Sequence, residues 1–236
     1  VYNLLKKYNV NNINVDLIYP LPGLDIKILN DTLDKILALD IPHISVYNLE
    51  IHENTKLDFL LKNNFLKLPN EDIEYEMKEL IENKLKKNMY NKYEISNFSK
   101  EGFESIHNLN YWNQGYYLGF GVCSSSFLNS TRYSNIDNIE DYINYYLYND
   151  KKINIIKESS DLDDNELIKE YIILKLRLDK GVSILTINKK YNINVLELFK
   201  DTLNKLKNNK LISIDTNIYL TKKGQELANL VWQEFI

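Results

Sequence analysis

The chain has 236 residues, of which 44% are hydrophobic, and this is enough for one large domain or two ordinary domains with a buried core. The net charge of -4 provides no overall positive field, so nucleic acid is not an expected partner. Cys123 is the single cysteine of the sequence, which excludes an internal disulfide and a thiolate cage for zinc or an iron-sulfur cluster, and it favours a reducing cytoplasm.

The first part of the chain alternates strand and helix patterns. Asn14–Tyr19 is a short β-branched apolar run closed by Pro20-Leu21-Pro22-Gly23, which predicts a buried strand ending in a turn. Asp25 stands at the N-cap position of the next helix, and His43–Leu49 repeats the strand pattern. This order predicts a βαβ unit with two parallel neighbouring strands. Because the chain opens with Val1 in a segment that resembles half a helix, we also expect its natural N-terminus to lie upstream.

The middle of the chain predicts a mixture of elements. A long helix is expected from an Asn70 cap to about Met89, and a third strand over Lys92–Phe98. Short strands with a hairpin around Asn129-Ser130 should follow. The polar stretch over 149–164 is the best candidate for a linker, so we predict one domain over 1–148 and another over 165–236.

The C-terminal part has the element order of a winged-helix-like domain. The expected elements are a helix from Asn165, helices near Thr186–Tyr191 and Val195–Asn208, a hairpin over Leu211–Leu220 turning at Thr216-Asn217, and a final helix capped by Thr221. Three helices, a two-stranded wing and a further helix are typical of this fold.

An imidazole, an amide and two large aromatic side chains occur within six residues, at His107, Asn108, Tyr111 and Trp112. Haem iron binds a neutral imidazole nitrogen, and porphyrin faces need aromatic or aliphatic walls. The group therefore predicts a haem site with His107 as the iron ligand. Taken alone, a histidine beside aromatic residues is more often an ordinary core or surface residue.

Two acidic residues lie on or next to the predicted parallel strands. Asp16 interrupts an apolar strand, where a buried carboxylate needs a partner, so it either caps a loop or faces a polar ligand. Glu50 follows the second strand, on the edge where α/β folds place their chemistry, although an exposed acid at a strand end is an equally good interpretation.

Several segments together resemble the oxygen-independent coproporphyrinogen III oxidase-like branch of the radical S-adenosylmethionine enzymes, and within it the haem chaperones. The matching segments are Val15–Tyr19 with Leu21-Pro22-Gly23, His43–Tyr47, Leu68-Pro69 with Glu71-Asp72, Tyr93–Phe98, His107–Trp112, Leu118–Gly121, Arg132 with Asn135, and Leu220–Gly224. The His-Asn-x-x-Tyr-Trp run is similar to the haem-binding signature of the chaperones and differs from the pattern of the decarboxylating oxidases.

The resemblance implies a fold and a set of ligands. The fold would be α/β, the C-terminal part of a partial (β/α) radical S-adenosylmethionine barrel followed by a helical, winged-helix-like HemN-type C-terminal domain. His107 would bind haem iron, with Asn108, Tyr111 and Trp112 shaping the pocket. Asp16, Glu50 and Ser125 would lie beside S-adenosylmethionine, and Ser125 stands where the chaperones commonly carry a second histidine.

The resemblance also implies partners and limits. The partners would be haem and the respiratory haem proteins that accept it, with a possible homodimer. Full-length members would hold S-adenosylmethionine and a four-iron, four-sulfur cluster, but this chain lacks the three-cysteine CxxxCxxC motif and cannot bind the cluster, so we do not expect catalysis by the chain alone. No run approaches the roughly 20 apolar residues that span a bilayer, so no stable membrane insertion is expected.

Two other functions stay open. The intact protein could decarboxylate coproporphyrinogen III oxidatively. Alternatively, residues 165–236 could bind DNA as a winged helix, although the candidate recognition helix offers no arginine for bidentate contact with a base.

Overall fold

The computed structural model describes residues 1–149 and 152–236 and divides the chain into two compact units, Val1–Ser105 and Ile106–Ile236. The first unit contains α1 (Tyr2–Lys7), β1 (Asn14–Tyr19), α2 (Ile26–Ala38), β2 (His43–Asn48), α3 (Lys56–Lys62), α4 (Glu71–Lys87), β3 (Asn91–Lys92) and β4 (Asn97–Ser99). The second contains α5 (Ile106–Trp112), β5 (Ser125–Leu128), β6 (Thr131–Asn135), α6 (Ile139–Leu147), β7 (Ile156–Asp161), α7 (Asp164–Lys175), β8 (Val182–Ser183), α8 (Ile184–Tyr191), α9 (Val195–Leu198), α10 (Lys200–Asn208), β9 (Ile212–Ile214), β10 (Asn217–Leu220), α11 (Lys222–Glu226) and α12 (Ala228–Gln233).

The predicted βαβ unit is confirmed in the first unit. Strands β1 and β2 pair in parallel, from Asn14 opposite His43 to Tyr19 opposite Asn48, and α2 connects them. The Asp25 carboxylate accepts a hydrogen bond from the Ile28 backbone N–H at 2.7 Å, which confirms the predicted N-cap. The Asn70 cap of α4 is confirmed in the same way.

The predicted third strand is instead two short strands. β3 and β4 pair antiparallel with each other, and β4 also pairs antiparallel with β2, giving the sheet order β1-β2-β4-β3. Between them the Glu94 carboxylate, only 2% exposed, accepts hydrogen bonds from the Ser96 backbone N–H at 3.0 Å and from the Asn97 amide. A side chain that bonds its own backbone locally competes with strand pairing, which explains the interruption.

One face of this sheet carries the hydrophobic core. Its members come from the sheet, from α2 and α4 and from the loops beside them: Ile13, Leu17, Tyr19, Leu29, Leu33, Ile36, Ile41, Ile44, Val46, Met77, Ile81, Leu85, Tyr90 and Phe98. Because side chains alternate along a strand, Asn14 and Asp16 of β1 and Ser45 of β2 lie on the opposite face.

The second unit begins with an antiparallel sheet in the order β5-β6-β7. The predicted hairpin is confirmed, since Asn129 and Ser130 join β5 to β6 with φ angles of 48° and 66°. Part of the predicted linker is a strand, because β7 pairs with β6 from Asp161 opposite Thr131. All six residues of β7 are exposed, so its sequence has no hydrophobic alternation and reads as a linker. Residues 150–151 of that stretch lie outside the described residues.

The C-terminal part has the predicted winged-helix-like order. Helices α7, α8 and α10 are followed by the β9–β10 hairpin, and β8 completes a sheet in the order β8-β10-β9. The predicted helix over 195–208 is broken at Phe199 into α9 and α10, and the hairpin turns one residue earlier than expected, at Asp215-Thr216. Thr221 caps α11 by accepting from the Gly224 backbone N–H at 3.0 Å, as predicted. No helix within the described residues is both long and apolar enough to cross a membrane.

Candidate functional site

Helix α5 arranges the four predicted haem-binding residues in two pairs. Residues four positions apart lie on one helix face, so His107 stands beside Tyr111 and Asn108 stands beside Trp112. The helix ends at Trp112, and the turn after it closes at Gly115, whose N–H donates to the Asn110 carbonyl oxygen at 2.8 Å. A Cβ atom at residue 115 would lie 2.9 Å from the Asn110 carbonyl oxygen, closer than side chains normally approach backbone, so the turn favours glycine.

The imidazole of His107 is exposed at the surface of the second unit. Its ring meets the Tyr111 ring edge to face, with the centroids 4.8 Å apart and an interplanar angle of 87°. Among the residues that the structure describes, no hydrogen bond engages either ring nitrogen. The imidazole is therefore available to an external ligand.

Tyr111 begins a chain of aromatic contacts. Its ring centroid lies 4.8 Å from that of Tyr117, and Tyr117 lies 6.3 Å from Phe127. Backbone hydrogen bonds between Tyr117 and Phe127, at 2.9 and 3.1 Å, fix this part of the chain against β5. The aromatic surface that starts at His107 thus continues onto the sheet.

Trp112, the last of the four predicted haem-binding residues, contacts a cationic side chain. The Arg177 guanidinium lies 4.3 Å from the Trp112 ring centroid and 4.8 Å from that of Trp232, so one cation is stacked between two indoles. Neither indole N–H finds an acceptor within the described part of the chain, so the ring faces provide the contacts that hold this group. Trp112 is consequently fixed by the C-terminal helices.

Two adjoining cavities open beside this aromatic surface. The smaller, about 160 Å³, is bounded by Tyr111 and Trp112, and the larger, about 330 Å³, by Lys190 and Tyr191. Gln114, Gly115 and Phe127 border both cavities. The two cavities therefore lie side by side, between Tyr111 and Trp112 at one end and α8 at the other, and together they are called the cleft.

Gln114 organises the wall between the two cavities. Its Nε2 donates to the Leu167 carbonyl oxygen at 2.9 Å and to the Glu170 carboxylate at 3.2 Å. Its Oε1 accepts from Lys190 Nζ at 2.9 Å and from the Tyr191 hydroxyl at 2.5 Å. All the hydrogen-bonding capacity of this buried amide is thus used to fix the groups that line the cleft.

The positive groups of the cleft differ in their partners. Arg132 is ion-paired with Glu170, and its guanidinium lies 5.7 Å from the Phe127 ring centroid. Lys190 makes no ion pair within the described residues, and its Nζ lies 4.4 Å from the Tyr171 ring centroid and 5.0 Å from that of Tyr191. Desolvation by burial and the nearby Lys175 ammonium lower the pKa of Lys190, while Glu170 acts in the opposite direction.

Of the three residues predicted to contact S-adenosylmethionine, Asp16 and Glu50 belong to the first unit and Ser125 to the second. Asp16 is exposed, and Asn14 Nδ2 donates to its carboxylate at 2.7 Å, so the expectation of a buried acid is wrong. Side-chain alternation explains the difference, because Asp16 lies on the face opposite the core. Glu50 follows the end of β2, and its side chain is 84% exposed. Ser125 is exposed at the start of β5.

Asp16 and Glu50 lie apart along the sheet of the first unit. Asp16 lies opposite Ser45, and Glu50 is five residues further along the chain, so roughly 10 Å or more of strand separates their backbones. A contact with S-adenosylmethionine therefore stays a prediction for each residue. No cluster of three His, Cys, Asp or Glu side chains suited to a metal ion occurs within the described residues, and a lone cysteine does not fit a four-iron, four-sulfur cluster.

His43 is the centre of a polar network on the face of the first sheet opposite the hydrophobic core, and it is itself buried. Its Nδ1 lies 2.7 Å from Asn14 Oδ1, and its Nε2 lies 2.8 Å from the Tyr93 hydroxyl. Because the amide oxygen can only accept, Nδ1 carries the proton and Nε2 accepts from Tyr93. Burial lowers the pKa of His43, against a smaller opposing effect of Asp16 and Glu104.

Sequence reasoning missed Gln114, Arg177, Lys190 and Tyr191 as residues of this site. Arg177, Lys190 and Tyr191 follow Gln114 by 63 to 77 positions in the sequence, so the four residues come together only through folding. A turn signal was present in the Gln114-Gly115 pair directly after the haem signature. No local pattern marked the three C-terminal residues.

Comparisons with known proteins agree with this description. Residues 162–227 match the HemN C-terminal domain family. The chain is 35% identical over 233 residues to the haem chaperone HemW of Lactococcus lactis subsp. lactis (strain IL1403), and 34% identical over 232 residues to that of Bacillus subtilis (strain 168). Each alignment covers 98% of this chain but only 60% of the relative, so the chain spans about three-fifths of their length.

The fold is similar to that of coproporphyrinogen III oxidase HemN from Escherichia coli, a radical S-adenosylmethionine enzyme, with a TM-score of 0.76 at 19% identity. The match covers 99% of this chain and 57% of that enzyme, and it confirms the predicted fold class. The chain is thus similar to curated haem chaperones along nearly its whole length, contains a segment that matches the HemN C-terminal domain, and shares its fold with HemN.

Proposed function

We propose that the chain is the haem-binding part of a haem chaperone, and that His107 supplies the ligand to the haem iron. The observation that carries the proposal is the exposed imidazole on α5, which has no hydrogen-bond partner among the described residues and stands against Tyr111. A neutral imidazole nitrogen is a common axial ligand of haem, and an aromatic edge beside it is suited to a flat apolar ring system. The curated relatives named haem chaperones support the same function.

Each of the other three signature residues has a separate role in this proposal. Tyr111 holds the imidazole from one side and continues the aromatic surface through Tyr117. Trp112, fixed by Arg177, closes the smaller cavity. Asn108 lies half-buried on the same helix face as Trp112, and in this proposal it helps to shape the pocket.

Haem is the cargo in this function, and the protein that accepts it would be a respiratory haem protein. A reducing cytoplasm and a homodimer remain parts of the proposal. Full-length members of the family would also hold S-adenosylmethionine and an iron-sulfur cluster. The single cysteine of this chain cannot supply three thiolates, so the proposal gives the chain no radical step and no oxidative decarboxylation.

Haem titration of the purified chain tests the proposal. The wild-type protein should produce a Soret band that saturates with haem, and His107→Ala should lower its affinity or shift the band. His52→Ala is the matched control, because the His52 side chain is 77% exposed and lies in the first unit. Identical titrations for wild type and His107→Ala would remove His107 from the mechanism.

A further inference from the structure

The cleft ends, on the side away from Trp112, at a lysine ammonium that makes no ion pair among the described residues. Two cationic side chains border its two cavities, Arg132 at the smaller and Lys190 at the larger. Arg132 already pairs with Glu170, whereas Lys190 donates only to the neutral oxygen of Gln114 among the described residues. Within the described residues, the larger cavity therefore has an ammonium group with no directly paired carboxylate, since Glu170 pairs with Arg132.

The surroundings of this ammonium favour an anion with an apolar body. Tyr116, Phe127 and Leu167 form apolar walls, and the Tyr191 ring lies beside the charge. The second amine, Lys175, lies close enough to lower the pKa of Lys190, and its Nζ donates to the Asn113 amide oxygen. A carboxylate at Lys190 would relieve this repulsion and would form a charge-assisted hydrogen bond.

Haem combines these two properties, because its ring is flat and apolar and its edge carries two propionate carboxylates. We propose that Lys190 binds a haem propionate, so that the cleft from α5 to α8 holds the porphyrin edge while His107 holds the iron. This inference rests on the proposed haem-binding function. Tyr111 makes the geometric connection, because its ring contacts His107 and also lines the smaller cavity.

The proposal gives Gln114 a positioning role. Its Oε1 accepts from both Lys190 and Tyr191, and its Nε2 is held by Leu167 and Glu170, so the ammonium is directed before the ligand arrives. A side chain positioned in advance loses less entropy on binding, which increases affinity.

Titration with two forms of the ligand tests the propionate contact. Haemin carries both carboxylates, and iron protoporphyrin dimethyl ester is the same ring without their charge. Lys190→Met should weaken haemin binding about tenfold, the loss expected for one charge-assisted hydrogen bond, and should leave binding of the ester unchanged. Lys190→Arg keeps the charge and should retain most of the affinity for haemin.

The neighbouring Lys189→Met is the matched control, because Lys189 is an exposed lysine of the same helix and lines neither cavity. Equal effects of Lys190→Met on both ligands, or no effect on either, would overturn the proposal. A selective loss in Lys190→Met combined with an unaffected His107→Ala would support the propionate contact and reject only the iron ligand. Failure of wild-type protein to bind either ligand would reject both proposals.

Discussion

Replacing Arg177 by methionine should loosen the tryptophan cluster that fixes the haem-signature helix. The guanidinium is stacked between Trp112 and Trp232 at 4.3 and 4.8 Å from their ring centroids. Each cation-π contact contributes about 0.5 to 2 kcal/mol, depending on its exposure to water. Methionine keeps part of the side-chain volume and forms weaker sulfur-aromatic contacts of about 0.3 to 1.5 kcal/mol. We therefore expect the free energy of unfolding to fall by about 1 to 2 kcal/mol.

Intrinsic fluorescence measures this change directly. The chain has two tryptophans, and both belong to the cluster, so their emission reports on no other part of the protein. Arg177→Met should shift the native emission to longer wavelength, because the shorter methionine leaves the indole faces more open to water, and it should lower the urea midpoint. Lys180→Met, which removes an exposed charge three residues away, is the control. Unchanged emission and an unchanged midpoint in Arg177→Met would refute the stacking argument.

Two further predictions concern stability in each unit. A Cβ atom on Gly224 would lie 1.8 Å from the Leu211 carbonyl oxygen, so Gly224→Ala should destabilise the C-terminal domain by about 1 to 3 kcal/mol in urea unfolding, and a wild-type midpoint would contradict the close approach. Burial lowers the pKa of His43 from its ordinary value of 6.5, so the unfolded chain takes up the proton first as the pH falls. The stabilisation by neutral His43 is present above pH 6.5 and is lost as the pH falls from there towards the folded pKa. His43→Gln should therefore show a smaller loss of stability between about pH 7.5 and pH 5.5 than wild type does, and equal losses would contradict the assignment.

The sequence predicted those elements whose signals are local. The Asp25 and Thr221 caps and the Asn129-Ser130 hairpin each depend on a few neighbouring residues, and all three are confirmed. Strand β7 was missed because its six exposed residues carry no hydrophobic period and it is held by backbone pairing with β6. Backbone pairing between distant segments does not produce a residue pattern within a short window of sequence, so such a window cannot predict it.

At the candidate site, too, contacts between residues close in sequence could be predicted and contacts between distant residues could not. The spacing of His107 and Tyr111 within one helical turn was enough to bring their rings together. Arg177 stacks on Trp112, and Lys190 lines the larger cavity beside Gln114. The residues of each pair are more than 60 positions apart in the sequence, so no local motif predicts these contacts. The prediction for Asp16 was wrong for the opposite reason, because the apolar strand suggested burial on both faces, whereas Asn14, Asp16 and Ile18 of β1 are exposed.

Identification of the axial ligand tests the central claim most directly. The chain has three histidines, so protein labelled with ¹⁵N-histidine can be loaded with ferric haem and examined by electron-nuclear double resonance. An imidazole ¹⁵N coupling to the iron should appear in wild type and in His52→Ala, and it should be absent in His107→Ala. Persistence of the same coupling in His107→Ala would show that another histidine ligates the iron and would contradict the account.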